Sequence, residues 1–248
     1  MDKVVLITGA GRGIGAATAK LAARRGWAVC VNYLKNRDAA EAVVRGIGKA
    51  GGRAVAIAAD VASEADVVRL FQECDKALGP VSALVNNTGI LERQIRVEDI
   101  DAARLGRILT TNVVGSFICA REAVRRMSTK RGGKGGAIVN VSSAASRIGS
   151  PGEYVDYAAS KGAIDSFTLG LSKEVAAEGI RVNAVRPGVI YTEIHASGGE
   201  PGRVDRVKGS VPMQRGGQPE EVAEAILWLM SPESSYCTGI FIDVTGGR

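Results

Sequence analysis

The 248-residue chain is 46% hydrophobic but only 4% aromatic, contains 32 glycines and carries a net charge of +6. No apolar run approaches the ~18 residues of a membrane span, and Met1-Asp2-Lys3 leads straight into Val4-Val5-Leu6-Ile7, not into a charged leader with a long apolar segment and a cleavage site. Cys30, Cys74, Cys119 and Cys237 are widely spaced, form no Cys-x-x-Cys and have only His195 as a histidine partner, which argues against zinc and for free thiols in a reducing cytoplasm.

Strand and helix patterns alternate along the whole chain. Short apolar runs predict strands at 3–7, 28–33, 54–59, 81–86, 136–142, 180–186 and 239–244. Helical periodicity predicts helices at 14–25, 38–50, 64–78, 97–104, 107–128, 157–178 and 218–230. Strands that are apolar on both faces belong to a parallel sheet covered on each side. With right-handed crossovers this gives a single α/β domain over 1–248: a doubly wound, seven-stranded parallel sheet with helices on both faces. No internal repeat and no long linker divides the chain. Residues 191–217 follow a strand and have no clear period, so they are read as a mobile substrate lid.

The first strand ends in Thr8-Gly9-Ala10-Gly11-Arg12-Gly13-Ile14-Gly15, where a helical pattern begins. Glycines at such a turn let the backbone approach a pyrophosphate, which the helix N-terminus attracts. The spacing is Gly-x-x-x-Gly-x-Gly, and no P-loop signature occurs. No Asp or Glu occurs from Ala28 through Arg37, where an NAD enzyme of this architecture would hold the ribose hydroxyls. Arg12, Lys35 and Arg37, with Tyr33 at the strand end, suit a ribose phosphate instead. NADP is therefore the expected cofactor, with NAD as the alternative.

Residues 125–134 contain Arg125, Arg126, Lys130, Arg131 and Lys134 without an acid. A solvated helix C-terminus explains such a run; docking of an acidic carrier protein is the competing reading. No aromatic residue is interleaved for base stacking, so nucleic acid is not expected.

Tyr157 and Lys161 stand four positions apart, on one face if the segment is helical. A cation beside a phenol lowers its pKa from ~10 and makes it usable as a general acid/base. Tyr154 is the competing phenol, but its fourth neighbour is Ala158. His195 has no Gly-x-Ser-x-Gly elbow to serve, so a hydrolase triad is not expected.

Taken with Asn86-Asn87-Thr88-Gly89, Asn140-Val141-Ser142-Ser143, Pro187-Gly188 and Thr238-Gly239, each at a strand end, the glycine turn and Tyr157-x-x-x-Lys161 resemble the short-chain dehydrogenase/reductase family over essentially the whole chain. Thr88 departs from the family's usual Ala. The resemblance implies a Rossmann-type oxidoreductase that interconverts a carbonyl and a secondary alcohol, assembled as a homotetramer through the 107–128 and 157–178 helices. It implies that Tyr157 exchanges the proton, Lys161 tunes it and binds the nicotinamide ribose, Ser143 (with Ser142 as competitor) holds the carbonyl, and Asn112 binds a relay water. It places Gly9, Arg12, Gly13, Ile14, Gly15, Asp60, Val61, Asn87, Gly89, Pro187, Gly188, Ile190 and Thr192 around the cofactor. An N-cap role is the alternative for Asp60. Within the family the chain resembles both 3-oxoacyl-carrier-protein reductases and sugar dehydrogenase-like members. A nucleotide-sensing protein without turnover is the reading from another class, and the retained Tyr, Lys and Ser oppose it.

Overall fold

The computed structural model describes residues 3–248; Met1 and Asp2, read above as the lead into the first strand, lie outside the described residues. Seven strands form one parallel sheet: β1 Val4–Ile7, β2 Ala28–Tyr33, β3 Ala54–Ala58, β4 Ala83–Asn86, β5 Gly136–Val141, β6 Ile180–Pro187 and β7 Phe241–Val244. Their order across the sheet is β3-β2-β1-β4-β5-β6-β7. The direction of winding reverses between β1 and β4, and the crevice at the carboxyl ends of the strands opens there.

The apolar runs dictate this arrangement. In β1, Val5 and Ile7 point into one core and Val4 and Leu6 into the other, so neither face can meet water. The first core is closed by α1 Gly13–Arg24, α2 Arg37–Lys49 and α10 Pro219–Met230. The second is closed by α3 Glu64–Leu78, α5 Gly115–Met127 and α7 Val155–Val175. With so few aromatics, Val, Ile, Leu and Ala fill both layers, and Phe71 is the bulkiest side chain fully inside.

Most predicted boundaries hold within two residues, as expected of element ends. Four differences bear on function. The helices predicted at 97–104 and 107–128 are one bent element: α4 Ala102–Leu109 continues through a π-helical turn, Thr110–Val114, into α5. The helix predicted at 157–178 starts at Val155, which puts Tyr157 in its first turn. Segment 191–217 contains two short helices, α8 Ile194–Ser197 and α9 Arg203–Val207. The loop between Ser143 and α7 is likewise not bare, since it holds α6 Ala145–Ile148.

Candidate active site

A cavity of about 1440 Å³ lies at the carboxyl edge of the sheet, where the winding reverses. That exceeds the ~300–1,000 Å³ of an ordinary small-molecule pocket and leaves room for a dinucleotide beside a substrate.

The glycine turn forms one end of the cavity. Gly9 and Gly13 adopt φ of +62° and +52°, in the left-handed region that L side chains avoid. Asn32, a polar residue in an otherwise apolar strand, accepts the Gly9 N–H at 3.2 Å and donates to Ala59 O at 3.1 Å. It thereby ties the turn to β2 and the end of β3. Thr8 Oγ1 accepts from the N–H groups of Asn87 and Thr88, and the Asn87 amide donates to Thr8 O at 2.8 Å. Whereas α2, α3 and α4 are capped by Asn36, Ser63 and Asp101, α1 has Arg12 at its N-cap position, with no side-chain cap and no acid in its first turn. An uncapped, acid-free helix start beside a glycine cradle fits a pyrophosphate.

At the other end Ser143, Tyr157 and Lys161 converge. The Ser143 hydroxyl hydrogen-bonds the Tyr157 phenol and accepts the Ala145 N–H at 3.1 Å. Ser142 points away, donating to Asp165 Oδ1 at 2.7 Å and to Lys161 O. This separates two serines that are adjacent in sequence. Lys161 Nζ lies 5.6 Å from the Tyr157 ring centroid and donates to Val141 O at 2.8 Å. Burial pushes the Tyr157 phenol up, and only the Ser143 bond opposes it. The expected lowering by the adjacent ammonium is therefore absent: Nζ sits over the ring and bonds a carbonyl. Burial in turn lowers Lys161 to about 8, with Asp165 opposing.

Most residues expected at the cofactor line the cavity: Gly9, Arg12, Gly13, Ile14, Tyr33, Lys35, Asp60, Val61, Asn87, Gly89, Pro187, Gly188, Ile190 and Thr192. Four expectations change. Arg37 does not line the cavity; it sits in the first turn of α2 and pairs with Glu41, one turn on. Gly15 is behind the lining, where a side chain would strike Gly9 O at 2.7 Å, so its role is close packing of α1 on the turn. Asn112 is fully buried in the π turn and does not line the cavity. Its amide bonds Ile90 N (2.8 Å), Ile90 O (3.0 Å) and Ser160 Oγ (3.1 Å), bracing the segment after β4 against α7. Asp60 is not the N-cap of α3; Ser63 is, and the Asp60 carboxylate accepts the Ala62 N–H.

Segment 191–217 covers the substrate side. Arg203 and Arg206 of α9 each bond both Glu153 and Glu200, and Arg12 donates to Ser197 of α8 at 3.2 Å. The basic run is placed elsewhere. It begins in the last turn of α5 and ends just before β5, at the amino edge of the sheet, away from the cavity. Arg125 and Arg126 pair with Glu122, Arg126 also with Asp75, and Lys130 with Glu178. Arg125, Arg126 and Lys130 are thus paired as at a solvated helix end.

Sequence reasoning missed Asn32 as a brace, although a lone Asn in a buried strand was the visible signal. It also missed the buried Arg104–Asp156 pair (2.6 Å), whose second carboxylate oxygen accepts the Tyr157 N–H at 2.8 Å. Among the described residues no group of three or more His, Cys, Asp or Glu side chains could hold a metal, and no helix is long and apolar enough to cross a membrane. The buried thiols are Cys30, Cys74 and Cys119.

A seven-stranded doubly wound sheet with this Ser, Tyr and Lys cluster defines the class, and the chain belongs to the short-chain dehydrogenase/reductase family of oxidoreductases. A family model described as enoyl-(acyl carrier protein) reductase matches residues 9–248. The chain is 62% identical over 245 residues to a protein of Escherichia coli (strain K12) described as uncharacterized oxidoreductase YgfF, covering 99% of each. It is 39% identical over 247 residues to a human 3-oxoacyl-[acyl-carrier-protein] reductase, covering 100% of this chain and 98% of that one. A solved mutant of a Serratia marcescens short-chain dehydrogenase/reductase superposes with a TM-score of 0.90 at 33% identity, covering 99% of this chain and 97% of that one.

Proposed function

We propose that the chain is an NADP(H)-dependent oxidoreductase that interconverts a carbonyl and a secondary alcohol. The carrying observation is that Ser143, Tyr157 and Lys161 meet in one cavity with the glycine turn and the uncapped start of α1. When bound, the nicotinamide supplies or accepts the hydride. The chain's own residues supply the rest. Tyr157 donates or accepts the proton at the substrate oxygen, Ser143 holds that oxygen, and Lys161 orients the nicotinamide ribose and places a positive charge by the phenol. Asn112 positions α7 through Ser160.

The cofactor preference rests on charge. The lining at the end of β2 is Tyr33, Leu34, Lys35 and Asn36, without a carboxylate, and Arg12 lines the same cavity from the glycine turn, its guanidinium bonded to Ser197. A phosphate carrying nearly two negative charges is favoured there over bare hydroxyls. Arg12→Ala is expected to erode a preference for NADPH over NADH in kcat/KM by at least tenfold. Equal use of the two cofactors by the parent would defeat the assignment.

The relatives named as 3-oxoacyl-[acyl-carrier-protein] reductases support a second reading for the substrate. Its test and that of the main reading are one screen: NADPH oxidation and NADP reduction over ketones, sugars, polyols, 3-oxoacyl thioesters and enoyl thioesters. No turnover of any carbonyl or alcohol would refute the oxidoreductase assignment. A homotetramer is part of the same reading, supported by the exposed apolar surface of Leu105, Leu109, Val114, Phe117 and Leu169 on the α4, α5 and α7 elements. A monomer by light scattering at micromolar concentration would refute that part.

A further inference from the structure

Proton exchange at Tyr157 depends on how the first turn of α7 is held, and that turn has no side-chain cap. α7 starts at Val155, and Tyr154 in the N-cap position contributes no capping bond. The Ala158 N–H reaches back to Tyr154 O at 2.9 Å. The Tyr157 N–H lies in the first turn, where N–H groups have no carbonyl within the helix to bond. Asp156 takes it: Oδ1 accepts the Tyr157 N–H at 2.8 Å. The other carboxylate oxygen, Oδ2, accepts from Arg104 Nε of α4 at 2.6 Å. Arg104 Nη1 donates onward to Arg93 O at 2.8 Å. One carboxylate and one guanidinium thus join three pieces of chain: the catalytic turn, α4 and the segment after β4. Ile90 and Leu91 of that segment line the cavity. Its Ile95 N–H bonds Glu153 O at 3.1 Å, four residues before Tyr157.

The pair is poorly arranged for stability alone. Its side chains are 7% and 1% exposed, so both charges are desolvated. Such a pair offsets its desolvation only when its remaining groups are hydrogen-bonded, and the strong arrangement is a bidentate fork. Here the fork is divided between a carboxylate and a carbonyl, and Arg104 Nη2 has no partner among the described residues. What the geometry provides instead is a fixed relation between the turn that carries the phenol and the wall opposite.

We propose that Arg104 and Asp156 are positioning residues for the proton transfer. Through the Tyr157 N–H they hold the phenol against Ser143, and through Arg93 O they hold the Ile90 and Leu91 wall in register with it. Neither residue lines the cavity, so neither touches the substrate. The proposal rests on the oxidoreductase reading and adds residues to its machinery. A misplacement of about 1 Å at a reacting group costs up to about 10²-fold in rate.

The test separates position from stability. Asp156→Asn alone leaves Arg104 charged and unpaired, and it should lower the urea midpoint. Arg104→Leu combined with Asp156→Asn removes both charges and keeps an acceptor for the Tyr157 N–H, so the midpoint should recover. Arg104→Lys is the smaller step: it keeps a charge for Asp156 and gives up the bond to Arg93 O. Kinetics use NADPH and the carbonyl compound that the parent reduces fastest in the screen above. Rates are expressed per NADPH-binding site, counted by fluorescence titration, so that unfolded protein is not scored. The double variant is expected to lose kcat by roughly tenfold to a hundredfold, and Arg104→Lys by less. NADPH affinity and KM for the carbonyl should change less than about twofold, as for an interaction that matters in the transition state. Parent-like kcat per site in either folded variant would overturn the proposal, as would a rate that recovers together with the midpoint. If the parent turns over no carbonyl or alcohol, the oxidoreductase reading fails on its own. Ultraviolet titration of the Tyr157 phenol, isolated by subtracting Tyr157→Phe, then decides the positioning role. A phenol moved from its place between Ser143 and Lys161 titrates at a different pH, whereas an unchanged midpoint in the folded variants overturns the role.

Discussion

Replacing Lys161 with methionine is expected to stabilise the fold at neutral pH while removing turnover. The side chain is buried, and burial lowers its pKa from 10.5 to about 8. At about 1.36 kcal/mol per pH unit, the charged form carries a penalty of about 3 kcal/mol relative to the unfolded chain. Methionine has similar reach and no charge. Its cost is the lost donor to Val141 O, about 1–2 kcal/mol. The net gain below pH 8 is then about 1–2 kcal/mol, or roughly 2–8 °C in Tm for a chain of this size. The sign reverses with pH. Between about 8 and 10.5 the unfolded lysine still holds a proton that the folded one has released, so the parent gains stability relative to the variant as pH rises. Above that window Lys161→Met should be the less stable protein, because only the lost hydrogen bond remains. Urea unfolding at pH 7, 9 and 10.5, followed by the fluorescence of buried Trp27, measures the gap. A gap that does not change with pH, or a variant less stable than the parent at pH 7, would refute a depressed lysine.

Tyr157→Phe should fold, bind NADPH and lose turnover by about 10²–10⁴-fold, measured by steady-state kinetics; near-normal activity would transfer the acid role to another group such as Tyr154. Ser143→Ala should reduce kcat more than Ser142→Ala, since only Ser143 bonds the phenol. Ser142→Ala should act through stability, as it removes a bond to Asp165 and one to the α7 backbone; the reverse ranking in kcat would reassign the carbonyl donor. Asp156→Asn strands the Arg104 guanidinium in the interior, at a cost of about 3–5 kcal/mol; an unchanged denaturation midpoint would mean that the guanidinium finds another partner.

What could be read from the sequence follows the range of the interactions involved. The sheet was legible because parallel strands are apolar on both faces, a property local to each run. The glycine turn and the one-turn spacing of Tyr157 and Lys161 are equally local. One error was avoidable on the same terms. Arg37 and Glu41 are one helical turn apart, and that spacing predicts the pair that draws Arg37 along the surface of α2 instead of into the cavity. The basic run is a mixed case. Glu122 lies one turn before Arg126 and could have been counted against it, but Asp75 and Glu178 reach the run across 51 and 48 positions of chain. Charge along a sequence overstates charge in space whenever such partners are distant. The pKa logic fails for a different reason. A Tyr and a Lys on one helical face predict a lowered phenol only if water still reaches both groups. Once both are buried, desolvation acts on each before their mutual field does, and it raises one and lowers the other. The make-up of the substrate side was beyond any local pattern. It depends on where 191–217 folds, and that is set by Arg203 and Arg206 reaching back 50 and 53 positions to Glu153. The substrate side of the cavity is therefore written in long-range ion pairs, whereas the cofactor side is written in adjacent residues.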